Sequence, residues 1–357
     1  MTKRWMVLWK KLVAALLVLS ALSAHAEGVS MGFAQLPQTD GGQVTVYYPA
    51  AGRESVLQRG PFRLLVVQDG EPVAGNGHLV VISHGSGGSP WVHADLARAL
   101  VQRGFTVALP QHQGDNYLDP SKPGPVSWRL RPHEVSQAID IVAQHAPLAS
   151  LLKFDAVGVF GGSAGGHTAL SLAGGRWSDQ RFRDHCNAHI EQDFSSCVGF
   201  ITELHGGGLD GLKLWVARRV IAWRFGDATV REDADARIKA AVAMVPFAAD
   251  FDPASLAHPR MPLGLVMAEK DINQIPRFHV KAVQAACMPN CEVVMDLAEA
   301  GHGAMLSPTL AFEPGSVADH LLSDPPGFDR AKAIPELNAR IADFFVRHLL
   351  AAPSPGP

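Results

Sequence analysis

The chain has 357 residues, is 47% hydrophobic, and carries 31 basic against 34 acidic side chains for a formal charge of −3. That acidic balance argues against a nucleic-acid partner, which needs clustered Lys and Arg to release counterions, and favours a small molecule. The length suits two ordinary domains or one large α/β domain with an insertion.

Residues 1–26 run from Lys3, Arg4, Lys10 and Lys11 through the apolar "LVAALLVLSAL" to "AHA", the pattern of a signal peptide cleaved after Ala26. The apolar stretch is about half of the ~20 residues that a membrane span requires. No cysteine lies near the cleavage point to carry a lipid, and no later stretch is apolar enough to span. The expectation is a periplasmic or secreted protein with no stable membrane anchor after cleavage. Losing four basic residues takes its formal charge from −3 to −7.

Beyond the leader, "QVTVYYPA" (43–50) alternates as a strand does, and "HLVVISHG" (78–85) is a short buried strand. The helix "HADLARALVQRG", the strand "FTVALP", the helix "HEVSQAIDIVAQH" and the strand "DAVGVFGG" follow. Near-uniform apolar strands alternating with amphipathic helices indicate a parallel sheet covered on both faces, hence an α/β fold. Two further buried strands, "IKAAVAMVP" and "MPLGLVMAE", precede the helix "RFHVKAVQAAC" and the strand "CEVVMDL". A last helix, "AIPELNARIADFFVRHLL", closes a domain spanning 27–350, and the tail 351–357 is expected to be disordered.

Residues 176–236 break this rhythm. The stretch is too long for an ordinary connection and reads as a lid-like insertion or as extra helical packing. It holds "HGGG" at 205–208 and the helix-like "LKLWVARRVIAWRF", whose Trp215 and Trp223 at helical spacing are expected in the core. Four cysteines in an exported chain favour two disulfides, and close spacing favours Cys186 with Cys197 and Cys287 with Cys291. As half of a metal site, "CMPNC" lacks a second ligand pair, so no metal or other cofactor is expected.

The densest signal is "VGVFGGSAGGHTAL" (157–170), in which Gly161, Gly162, Ser163, Ala164 and Gly165 fit G-x-S-x-G between a strand and a helix. Glycines there remove collisions at a sharp strand-to-helix turn and leave the helix start open to negative charge. Neither a G-x-G-x-x-G spacing nor a P-loop lysine is present. A serine hydroxyl needs an oriented base, and behind such an elbow the acid and then the histidine follow in the chain. Asp271, in the loop after "LGLVMAE", and His302, between two glycines after "VVMDL", occupy those places. Glu269, Asp250 and Asp252 are rival acids. The amides of Ser86, in "ISHGSGG", and of Ala164 are the expected oxyanion-hole donors.

The elbow, "SHGSGG", "LARALVQRGFTVALPQHQGD", Asp271 and His302 together resemble the α/β-hydrolase superfamily. "VTVYYPA" followed by "LVVISHGSGG" is similar to the bacterial dienelactone-hydrolase-like group related to platelet-activating-factor acetylhydrolases. The resemblance implies a mostly parallel eight-stranded sheet flanked by helices and cofactor-independent ester hydrolysis through an acyl-enzyme. Dienelactone hydrolases proper use a cysteine where this chain has Ser163. The acetylhydrolases place the acid one strand earlier, where "AMVPFAAD" offers nothing before Asp250. The resulting expectation is an exported serine carboxylic-ester hydrolase. A serine peptidase or amidase and a catalytically silent binding protein are the alternatives. Trp91, Met305 and Leu306 either line an apolar pocket for short-to-medium acyl chains or simply pack.

Overall fold

The computed structural model describes residues 29–39 and 41–350, so the expected leader and tail lie outside the described residues. Its strands are β1 (Ser30–Pro37), β2 (Gln43–Ala50), β3 (Ser55–Arg59), β4 (Phe62–Gln68), β5 (Leu79–Ser83), β6 (Thr106–Pro110), β7 (Val157–Gly162), β8 (Ile238–Met244), β9 (Leu263–Ala268) and β10 (Glu292–Leu297). They form one sheet in the order β10-β9-β8-β7-β5-β6-β2-β1-β4-β3.

Strands β6, β5, β7, β8, β9 and β10 are mutually parallel. The expected eight-stranded sheet is therefore corrected to ten strands, partly antiparallel. β2 runs antiparallel to β6 and β1, and β3 antiparallel to β4, while β1 and β4 meet in parallel at only two residue pairs. β3 and β4 escape an apolar-run search because β3 has an exposed or half-exposed side chain at every position and β4 alternates buried with exposed residues.

The central strands are buried on both faces, and the period of two along each one feeds two cores. Val80 and Ile82 of β5 join α1 (Ala94–Gln102) and the C-terminal helix Arg330–Leu349 in one core. Leu79 and Val81 join α2 (Arg131–Gln144) and α3 (Ala164–Leu172) in the other. Burial of every residue in β5 and β7 explains why both read as continuous apolar runs.

Residues 176–236 contribute no strand to the sheet and carry α4 (Asp179–His189) and α5 (Asp210–Arg224). Ser178 caps α4 by accepting from the Arg181 amide, and Phe182 and Ile221 reach the core. Cys186 on α4 is bonded to Cys197, and Cys287, at the end of α6 (Val280–Cys287), to Cys291. The core placement expected of Trp215 and Trp223 is overturned: they are 58% and 85% exposed. α5 packs through buried Ile221 with Leu214 and Ala217, and both indoles project from its other side. The C-terminal helix is α7 (Arg330–Leu349). No helix among the described residues is long and apolar enough to cross a membrane.

Candidate active site

β7 ends at Gly162 and α3 begins at Ala164, so Ser163 alone makes the turn, at φ 55° and ψ −117°. A non-glycine residue at positive φ is strained, and its surroundings must hold it there. The Ser163 amide donates to Met244 O of β8 at 3.0 Å, and its carbonyl accepts from the His167 amide at 3.1 Å. A Cβ on Gly161 would lie 1.8 Å from Gly165 O, and one on Gly165 would lie 1.8 Å from Ser83 O of β5. The two glycines are thus required by backbone packing, the one within the turn and the other against the neighbouring strand.

Two loops past the carboxyl ends of β9 and β10 bring the other expected residues to Ser163. The Lys270 amide donates to Ala300 O at 2.9 Å, tying these loops together. His302 opens a short 3-10 turn, and Arg330 of α7 clamps that turn by donating to the carbonyls of Gly303 and Leu306. His302 Nε2 lies 3.0 Å from Ser163 Oγ, and His302 Nδ1 lies 2.6 Å from Asp271 Oδ2. Asp271 Oδ1 accepts from the amides of Asn273 and Gln274, both at 2.8 Å. These bonds fix the carboxylate, which in turn fixes the imidazole. Ser163, Asp271 and His302 are all buried.

The rival acids are placed elsewhere. Asp250 Oδ2 lies 3.0 Å from His167 Nε2, Glu269 pairs with Lys281, and Asp252 caps a short helix and pairs with Arg176. "HGGG" forms an exposed turn whose His205 and Gly206 amides donate to Asp210, the first residue of α5.

The loop after β5 lies against the serine, since a Cβ on Gly85 would sit 3.5 Å from Ser163 Cβ. Neither the Ser86 nor the Ala164 amide donates to another protein atom among the described residues. Ala164 is the first residue of α3, where no intrahelical acceptor exists. Both amides therefore remain available as donors.

Three features of the site were not read from the sequence. Gln274 Nε2 donates to Ser163 Oγ at 3.1 Å, placing a second polar group on the hydroxyl. Arg330, as above, holds the His302 turn. Beneath the Ser86 loop, fully buried Arg131 of α2 pairs with fully buried Asp115 at 2.8 Å and donates to His84 O. Asp115 Oδ1 accepts from Ser86 Oγ at 2.6 Å and from the Gly87 amide at 2.9 Å. Burial would raise the Asp115 carboxyl, but Arg131 and the Ser86 and Gly87 donors outweigh it and hold it below the ordinary range. His112 bridges Ser83 Oγ and Glu134 at 2.7 and 2.6 Å. Burial, reinforced by Arg131, pushes His112 well below the ordinary imidazole value.

A cavity of about 360 Å³ opens over Ser163 and His302. Its wall is largely apolar. Trp91, Met305 and Leu306 line it, as do Phe312, Phe200 from the insertion and Arg59 from the β3–β4 turn. The turn residues Gly60 and Pro61 complete this side. A largely apolar hollow with a few convergent polar groups is the usual form of a small-molecule site.

No protein-family model and no curated protein sequence matches the chain. Among solved structures, it is similar to the ferulic acid esterase from Streptomyces cinnamoneus, at 17% identity and a TM-score of 0.58, over 93% of each chain. The likeness is one of fold. In this chain Ser163 stands at the turn from the central strand β7 into α3.

Among the described residues, one cluster offers metal-ligand side chains: His185 on α4, Asp193, and His279 just before α6. Its hydrogen bonding does not fit a metal. His279 Nδ1 accepts from the Ala248 amide at 3.0 Å, which leaves Nε2 as the protonated nitrogen, and Nε2 lies 3.0 Å from Asp193 Oδ2. A ligating nitrogen needs its lone pair free. Burial would raise the Asp193 carboxyl, but the His185 and His279 hydrogen bonds hold it well below the ordinary range. Ser196 Oγ also donates to Asn273 O at 2.9 Å, so the cluster ties the insertion to the loop bearing Asp271 and Gln274.

Proposed function

We propose that the protein is an exported serine carboxylic-ester hydrolase that works through an acyl-enzyme. The observation that carries this reading is the unbroken hydrogen-bonded chain from Ser163 Oγ through His302 to Asp271 at the floor of an apolar cavity. In the proposed reaction Ser163 Oγ attacks the acyl carbon while its proton passes to His302 Nε2. Asp271 fixes the imidazole tautomer and stabilises the charged ring. The Ser86 and Ala164 amides bind the oxyanion, which strengthens them as donors in the transition state. The C–O bond to the alcohol then breaks and the alcohol leaves with the proton from His302; water next attacks the acyl-enzyme with His302 as base, the bond to Ser163 Oγ breaks, His302 returns the proton to that oxygen, and the acid is released.

The cavity favours an ester with an apolar acyl group, and the fold shared with a ferulic acid esterase makes aryl-acid esters a natural part of the substrate panel. Export is supported by the two disulfides and by the leader pattern of residues 1–26.

A fluorophosphonate probe followed by peptide mass spectrometry tests the nucleophile. Ser163 is the expected adduct site, and an active, folded sample left unlabelled there would overturn the assignment. p-Nitrophenyl esters set against peptide p-nitroanilides decide between esterase and amidase. Asp271→Asn is expected to lower kcat by on the order of 10⁴-fold. A larger loss from Asp250→Asn would move the acid to the His167 pair.

A further inference from the structure

We infer that the outer face of α5 docks reversibly on an anionic lipid surface. This goes beyond the hydrolase reading and does not rest on it. α5 buries only Ile221, and on the far side it exposes Leu212, Trp215, Val216, Val220 and Trp223. At about 100° per residue these five fall within one continuous face. The approach to the helix adds Ile201 at 86% and Leu209 at 68% exposure. Two exposed indoles and this much aliphatic area gathered on one helix face form the kind of contiguous apolar patch that marks an interaction site.

The charges on α5 say what covers it. The helix carries Lys213, Arg218, Arg219 and Arg224 against Asp210 alone, in a chain whose overall balance is acidic. Asp210 is already engaged by the His205 and Gly206 amides and by Lys213, and Arg218 pairs with exposed Glu191. Arg219 lies over the Trp215 ring at 5.7 Å and Arg224 over Phe225 at 5.5 Å, and neither has a carboxylate partner among the described residues. Indoles and aliphatic side chains flanked by arginines match an interfacial helix, with the apolar groups entering the acyl boundary and the guanidiniums meeting phosphates. A second copy of the chain fits less well, since a two-fold contact would bring together two copies of a face that carries Arg219 and Arg224 and no unpaired carboxylate of its own.

The helix is tied to one wall of the cavity. Lys213 Nζ donates to Glu203 O at 2.6 Å, tying α5 to the turn that presents Phe200, and Phe200 both lines the cavity and reaches solvent. A surface docked on α5 is thereby linked, through the turn that carries Phe200, to the wall of the cavity over Ser163.

The test is sedimentation of the mature chain with phosphatidylcholine vesicles, with and without phosphatidylglycerol, at low and high salt. Binding is expected to the phosphatidylglycerol vesicles, weakened by salt. Arg218→Gln/Arg219→Gln/Arg224→Gln should weaken it by about 100-fold at low salt, at about fivefold per arginine. Trp215→Ser/Trp223→Ser should weaken it at least about tenfold while leaving hydrolysis of a water-soluble ester unchanged. Three results would each overturn the proposal: no binding by the parent chain, binding unaltered in both variants, or a concentration-dependent dimer that the double tryptophan variant abolishes.

Discussion

Replacing Asp115 by leucine removes three things at once: the partner of Arg131 and the acceptor for both Ser86 Oγ and the Gly87 amide. Stranding a fully buried guanidinium costs about 3–5 kcal/mol, a fall in melting temperature on the order of 10 °C. The loop that presents the Ser86 amide loses its anchor as well, and a misplaced oxyanion donor lowers kcat by about 10²-fold or more. Adding Arg131→Met separates the two effects. With both charges gone, the pair becomes an apolar contact of similar volume, and stability should return to within about 2 kcal/mol of the parent. The loop bonds are still missing, so kcat should remain about 10²-fold down. Urea unfolding gives the first quantity and initial rates on a p-nitrophenyl ester give the second. Recovery of kcat together with stability in the double variant would refute the argument that Asp115 positions the oxyanion loop.

Three other outcomes follow from the same structure. His93 is buried with neither ring nitrogen bonded to protein, and burial lowers its pKa from 6.5 to about 4. The folded state therefore binds fewer protons than the unfolded one, and stability intact above pH 6.5 falls by up to about 3 kcal/mol as pH drops toward 4. His93→Leu should flatten urea midpoints across that window, leaving the slope due to His84 and His112, whose values are lowered in the same direction. Gln274→Ala removes one hydrogen bond to Ser163 Oγ and should lower kcat/KM about fivefold, with no loss of fluorophosphonate labelling at saturation. Cys186→Ser/Cys197→Ser opens a loop of separation 11 and should cost about 3 kcal/mol in urea unfolding.

Much of the scaffold was legible because its strands are short, apolar and uninterrupted: "LVVIS" and "VGVFGG" are buried at every position, and a strand covered on both faces leaves just such a trace. β1 was not seen because Gly32, Gln35 and Pro37 dilute it, nor was the β3–β4 hairpin, which keeps much of its surface in water. The placement of Ser163, Asp271 and His302 was legible because glycine spacing and strand ends mark positions rather than contacts. Arg131 and Asp115 are not singled out by the sequence, since nothing local distinguishes an arginine in "LRPHE" from any other helix-starting cation. Their partnership appears only when β5, the loop after β6 and α2 converge. Trp215 and Trp223 misled for the opposite reason: α5 is apolar on two sides, and periodicity does not say which side finds the core.

The β3–β4 turn has an evolutionary corollary. Arg59, Gly60, Pro61 and Phe62 wall the cavity, yet this ribbon joins the sheet through only two residue pairs with β1 and lies more than a hundred residues before any proposed reacting group. Phe62, Leu64 and Val66 anchor β4 in the core, so it is the turn at Arg59, Gly60 and Pro61 whose length and composition are open to drift or exchange without disturbing Ser163, His302 or Asp271. Under the proposed function, what selects the ester and what cleaves it would lie in separately editable parts of one polypeptide.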